Sequence, residues 1–293
     1  VDGVNHQLSG DLLRGVELLR DQWWPSTVEG IAQGALYALV AVGLTVVHRT
    51  HRSLDLGQLA AFSLGLFGVY AAFFALGFRP GATAEGGVLG FLLLGFVAAV
   101  AVSGVTSVAL GLAYRPLRGR PPWFLLLVGL GVFLVVQQAL RLLRGPEPEP
   151  PIRLFRPHEL VPGVDDVQLA IVVIALGLVA GAAVLARRTG WAFATSGVLM
   201  GAAATLYLLK VPTAAWHLTA VQVGLYAVAA VLLGDPGRVR GALLAAVALG
   251  LAQAYAQTVV SDKWRYFLAA GLLVLAAVLR WWLARRAATR LVT

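Results

Sequence analysis

His48, His51 and Asp55 stand at i, i+3 and i+7, so on a continuous helix they would share one face. Imidazole and carboxylate together are suitable ligands for zinc or a similar divalent ion. The stretch falls, however, where a turn between two apolar runs is expected, and there the three residues read as solvated loop positions. No metal site is assigned. A second set is more suggestive. Gln58, Gln137, Gln138, Gln222, Tyr226, Gln253, Tyr255 and Gln257 lie inside long apolar runs. An amide or phenol facing lipid is unfavourable, so these groups should face the interior of a helical bundle or an aqueous path. Two roles stay open for them: hydrogen bonds between helices, or a translocation path for a zwitterionic or amide-bearing solute. His217, beside Trp216, reads as a residue at the membrane interface. Enzyme signatures are missing from the chain: no G-x-S-x-G, no H-E-x-x-H and no G-x-x-x-x-G-K-S/T occurs. No enzyme activity and no cofactor is expected.

The elements that hold these groups follow from composition. Of the 293 residues, 59% are hydrophobic and only 13% are charged. A soluble domain carries about 25% charged residues, so this chain cannot cover a water-facing surface. Its 33 glycines suit membrane helices, in which small residues let backbones approach. The absence of cysteine excludes a disulfide framework and a thiolate metal site. The net charge of +9 reads as orientation by cytoplasmic arginines, with no nucleic-acid partner implied.

Breaks at proline, glycine and charge clusters predict nine spans, at 27–47, 55–77, 87–114, 123–143, 166–186, 191–210, 213–233, 241–261 and 265–284. Residues 7–24 precede them, with Leu8, Leu12, Leu13, Val16 and Leu19 at helical spacing and Trp23-Trp24 at the end. That segment reads as an amphipathic helix lying on the lipid interface. The predicted fold is therefore all-α: a polytopic bundle of about nine spans with an N-terminal interfacial helix. Its divisions are an external segment 1–26, a transmembrane domain 27–286 and a cytoplasmic tail 287–293.

Charge sets the expected orientation. Odd-numbered spans put the two termini on opposite sides. One side then collects Arg49, Arg52, Arg115, Arg118, Arg120, Arg187, Arg188, Arg238, Arg240, Arg280, Arg285, Arg286 and Arg290, against Asp55 and Asp235 alone among the acids. Cations in short loops mark the cytoplasmic side, so the C-terminus is expected inside and the N-terminus outside. Gly30 and Gly34, and again Gly197 and Gly201, form small-xxx-small faces suited to close helix crossings, and Gly65 is a further small packing position. The run Gly234-Asp235-Pro236-Gly237 reads as a tight turn between two spans.

Six segments, in order, resemble the branched-chain amino acid ABC permease family. Gly30, Gly34, Tyr37, Ala38, Leu39, Ala41, Gly43 and Leu44 match its opening G-x-x-x-G-x-x-Y-A-L-x-A-x-G-L helix. LDLGQLAAFSLG, with Asp55, Leu56, Gly57, Gln58 and Gly65, is similar to its second-span segment, although Asp55 stands for the usual Asn. Ala113 to Arg118 is close to its A-Y-R-P-x-R loop, and Gly129, Gly131, Gln137 and Gln138 follow at the spacing of its G…L-Q-N helix. Ala192 to Ala203 and Ala230 to Ala246 match two later segments.

The resemblance implies an inner-membrane permease subunit of an importer for branched-chain amino acids or a related small polar solute. It also implies ATPase subunits, a second permease subunit and an extracytoplasmic solute-binding protein as partners, besides lipid. One feature is missing. The family carries a cytoplasmic coupling helix between its fifth and sixth spans, whereas this chain has Arg187-Arg188-Thr189-Gly190 there. A helix of two turns needs about seven residues. Three readings stay open: a second permease that retains its coupling helix, an ATPase contact made by Arg115, Arg118 and Arg120 with Arg187 and Arg188, or a coupling-deficient membrane scaffold or accessory subunit with no ATPase partner.

Overall fold

A backbone in lipid has no water to bond, so each apolar run must close its hydrogen bonds within itself, as a helix does. The computed structural model describes residues 2–75, 77, 88–117, 119–145, 159–161, 164–185, 191–211, 216–259 and 265–290. Among these the helices are α1 (Asp2–His51), α2 (Gln58–Ala75), α3 (Val88–Ala113), α4 (Pro122–Arg144), α5 (Asp166–Leu185), α6 (Ala192–Lys210), α7 (Trp216–Leu233), α8 (Val239–Val259) and α9 (Arg265–Arg290). A short 3-10 turn, Arg115–Leu117, follows α3. Before α5, β1 (Glu159–Val161) pairs antiparallel with β2 (Val164–Asp165). The fold is all-α and polytopic. Among the described residues, six helices have a stretch long and apolar enough to cross a membrane, on α1, α2, α3, α4, α6 and α8, and α5, α7 and α9 carry shorter apolar segments.

The predicted spans fall on these helices with small differences at their ends, and one larger departure. The interfacial helix and the first span are not separate: α1 runs unbroken through Pro25. Proline removes one i→i−4 bond, and membrane helices tolerate this where hydroxyl side chains bond nearby carbonyls. Pro25 leaves the Asp21 carbonyl without its i→i−4 partner; two residues further on, the Thr27 hydroxyl donates to the Trp23 carbonyl at 2.6 Å. Trp23 and Trp24 are exposed and meet edge to face, as residues at headgroup level would be.

From Ala32 to Val47 nearly every residue of α1 is buried, because α5, α6, α7 and α8 all pack on this helix. Small residues permit that crowding. A Cβ on Gly30 would lie 2.8 Å from the Leu251 Cα, and one on Gly34 would lie 2.7 Å from the Val247 Cα, both on α8. Gly197 and Gly201 of α6 meet α3 in the same way, each with 2.6 Å between such a Cβ and the Cα of Gly104 or Val100. Gly65 of α2 faces Gly201 and Ala204. Lipid supplies no hydrophobic force between helices, so contact this close is what holds them. Outward faces of α3, α4, α5 and α9 present Val105, Val135, Leu142, Val173 and Val274.

The α7–α8 turn is tight, as expected. Asp235 and Gly237 both take positive φ, +69° and +98°, and the Arg238 N–H bonds the Asp235 carbonyl at 2.9 Å. Arg280 of α9 reaches the Leu232 carbonyl at 3.0 Å and Asp235 Oδ1 at 3.1 Å. This guanidinium caps the C-terminal end of α7, where orphan carbonyls and the helix dipole favour a cation.

Candidate functional site

Two buried polar networks lie on either side of an apolar layer, and α1 runs through both levels. The first sits at the arginine-rich end. Asp55 lies in the turn between α1 and α2 and is 3% exposed. Its carboxylate accepts the Gly57 N–H at 2.9 Å, the Gln58 side-chain amide at 3.1 Å and the Tyr114 hydroxyl at 3.0 Å. The local sequence dictates this. An Asp two residues before a free N–H bends its carboxylate back onto the backbone and satisfies the first turn of the next helix. Gly129 of α4 presses on the same turn, since a Cβ there would lie 2.7 Å from Asp55 Oδ1. Burial raises the Asp55 carboxyl above its ordinary value, and the bonds from Gln58, Tyr114 and Gly57 pull it back only in part.

Gln58 carries the network onward. Its carbonyl oxygen accepts from Ser107 of α3 at 2.6 Å and from Ser196 of α6 at 3.0 Å. Ser107 Oγ also lies 2.7 Å from the Phe193 carbonyl, so its single proton serves one acceptor at a time. One turn along α2, Ser63 accepts from Gln137 of α4 at 2.7 Å. The Gln137 carbonyl oxygen is buried without a hydrogen bond among the described residues.

The second network sits at the opposite ends of these helices. Glu29, Gln33 and Tyr37 follow one face of α1. Glu29 pairs with Lys210, the last residue of α6, at 2.7 Å, and accepts from Gln168 of α5 at 2.9 Å. Lys210 also donates to the Gln33 carbonyl, and the Gln33 amide donates to the Tyr37 hydroxyl at 2.8 Å. The Tyr37 hydroxyl donates a hydrogen bond to the Gln253 carbonyl oxygen on α8. The Tyr37 ring stacks on Tyr226 of α7 with centroids 4.7 Å apart. Thr27 and Tyr255 share a hydrogen bond of 2.6 Å nearby.

Between the networks α1 presents only Ala38 to Val42, all buried, with Leu66, Leu199 and Met200 in the same core. A Cβ on Gly43 would meet Ser196 Oγ at 3.2 Å, which places the first network one turn beyond this layer. The layer contains no polar side chain of α1.

The predicted path residues divide. Gln58 and Gln137 belong to the first network and Gln253 to the second, with Tyr226 stacked at its base and Gln222 buried one turn away on α7. Gln138 and Gln257 do not face inward; both are exposed. Adjacent residues on a helix point about 100° apart, so Gln137 and Gln138 cannot both enter the core. Asp55 requires a correction as well. It is buried and hydrogen-bonded, because α1 ends at His51 and the chain folds the carboxylate onto α2 and Tyr114 instead of leaving it in solvent. His48 is half-buried, the side chains of His51 and His217 lie outside the described residues, and no group of three metal-ligating side chains occurs among the described ones. Arg115 and Arg120 are exposed; Arg118, Arg187 and Arg188 fall outside the described residues. Sequence reasoning missed Glu29, Gln33, Lys210, Gln168, Ser107 and Ser196 as site residues. The i, i+4, i+8 spacing of Glu29, Gln33 and Tyr37 was the available signal.

Both networks consist of hydrogen-bonding groups and one ion pair, chemistry suited to binding polar solutes. The family described as the permease component of branched-chain amino acid transport systems matches residues 26–191 and 190–277. The chain belongs to that permease family. A curated relative, the high-affinity branched-chain amino acid transport system permease protein BraD of Pseudomonas aeruginosa, is 24% identical over 289 residues, covering 86% of this chain and 92% of the relative. No solved structure matches it. Membership in the permease family and the apolar helices together make this a multi-pass inner-membrane protein.

Proposed function

We propose that the chain is the membrane subunit of an ABC importer that passes branched-chain amino acids, or a related small polar solute, into the cell. The observation that carries this reading is the family match along most of the chain, joined to a relative of that function covered over 92% of its length. Partner ATPase subunits hydrolyse ATP, a second permease completes the membrane unit, and an extracytoplasmic binding protein delivers solute. The arginine-rich end faces the cytoplasm and the Glu29–Lys210 end faces outward. Two polar networks on either side of an apolar layer suit alternating access, with one network open at a time and the layer excluding water from both.

Reconstitution tests this. The chain, purified gently from its native membrane, is expected to bring ATPase subunits with it, and vesicles containing the assembly should accumulate labelled leucine only when ATP is supplied on the side of the membrane that receives the solute. Recovery without any ATPase overturns the importer reading.

A second reading is favoured by one observation. Only residues 186–191 separate α5 from α6, too few for the coupling helix of the family. The chain would then be a scaffold or accessory subunit that kept the permease fold and lost its coupling. Having no ATPase partner, it would be selected by purification that recovers the chain without any ATPase subunit.

A further inference from the structure

Glu29 and Lys210 bring two charges into a network whose other members, Gln33, Tyr37, Gln168 and Gln253, are neutral. A well-packed hydrophobic pair would hold α1 to α6 at least as firmly, so packing alone does not account for them. Ionisable groups at membrane depth mark solute or ion paths by default. Three features at this pair point to a ligand. It is not sealed: the Glu29 side chain is 39% exposed and that of Lys210 only 10%. It is not saturated either. The ammonium has three donors, and among the described residues two go to Glu29 and Gln33. The Glu29 carboxylate can accept about four hydrogen bonds and takes Lys210 and Gln168. Behind the pair, Gln33, Tyr37 and Gln253 continue the hydrogen-bonding row, about 12 Å along α1 from Glu29 to Tyr37.

We propose that Glu29 and Lys210 form the charge-matched recognition pair for a zwitterionic amino acid. Glu29 takes the solute's ammonium and Lys210 takes its carboxylate, so the two side chains exchange their bond to each other for bonds to the solute. Gln33 holds the Lys210 ammonium from behind during this exchange. A solute with one charge takes one partner and leaves the other without its counter-charge, which is unfavourable. That asymmetry selects the zwitterion. This assignment rests on the importer reading and gives it a solute site.

The chain has no cysteine, so a single introduced thiol reports on the site. Gln168→Cys places one beside Glu29, and Thr27→Cys places a second reporter on the other side. Labelling by a membrane-impermeant methanethiosulfonate is measured with leucine, with 4-methylpentanoate, which lacks the ammonium, and with 3-methylbutylamine, which lacks the carboxylate. Leucine is expected to slow labelling at least about fivefold, and each single-charge analogue less than about twofold. Adding Glu29→Gln should shift protection to 4-methylpentanoate, and adding Lys210→Met should shift it to 3-methylbutylamine. A merely structural ion pair would not produce that exchange of preference. Absence of protection by leucine, labelling of neither reporter, or unchanged preference in variants that melt like the parent would each overturn the proposal. The parent-pair arm needs no charge variant and stands even where one fails to fold. ATP-driven leucine uptake by the whole assembly is followed in parallel. Uptake without protection overturns this site alone; protection without uptake overturns the importer reading and keeps the site.

Discussion

Asp55 is a carboxylate surrounded by donors, and the balance between its burial and those donors can be measured. Tyr114→Phe removes one charge-assisted bond and leaves the carboxylate in place. Such a loss should lower stability by about 1.5–3 kcal/mol, read as a lower melting temperature in detergent. Asp55→Asn asks a different question. Because the native carboxyl is raised above the ordinary value of 3.8, the unfolded chain gives up this proton more readily than the folded one. Stability from this group is therefore full below the unfolded value and is lost as pH climbs toward the raised native value. The asparagine variant lacks that dependence. Its melting temperature minus that of the parent should increase from about pH 4 to about pH 7. A difference that shrinks over the same range would mean that the three hydrogen bonds outweigh burial. At this scale the sequence was only partly legible. Asp55 next to two histidines and an arginine looks like a solvent-facing turn, and the tertiary partner that buries it, Tyr114, lies 59 residues away.

Helices were far more legible than side-chain partners. Eight of the predicted spans end close to observed helices, because long apolar runs and the residues that interrupt them are local features. The exception is α1, which runs on through Pro25 as one helix where the sequence suggests a break. Which faces meet is also only partly written in the spacing. Gly34 lies at a crossing where an added Cβ meets the Val247 backbone, whereas a Cβ on Gly177 of α5 meets nothing within 4 Å. Both glycines stand in apolar helices and look alike in sequence. Gly34→Ala should destabilise by about 1–3 kcal/mol, because backbone cannot yield as a side-chain tip can. Gly177→Ala should change stability by less than about 0.5 kcal/mol. Thermal melting of the two variants in one detergent separates a packing glycine from a permissive one. Equal effects would mean that α1 and α8 can move apart at little cost.

At the scale of the whole molecule, the asymmetry of charge bears on how the chain meets its partners. One end carries thirteen arginines by sequence, and the structure leaves Arg115 and Arg120 exposed around the turn after α3. Arg49, Arg52, Arg238 and Arg240 are exposed at this end too; with so few residues between α5 and α6 for a coupling helix, we propose that the turn at 115–121 meets acidic groups of an ATPase subunit. Exposed charges of this kind govern encounter and salt dependence more than buried contact does. The double reversal Arg115→Glu with Arg120→Glu should therefore cut ATPase recovery at least about tenfold at low salt. It should leave the melting temperature of the chain within about 2 °C, because exposed charges contribute little to stability. Recovery by the parent should itself fall as salt rises from about 50 to 500 mM, since the screening length then shortens to only a few ångströms. Recovery that ignores both the reversal and salt would move the contact to apolar surface or to the second permease. In that case the arginines would serve orientation alone, holding this end on the cytoplasmic side of the membrane.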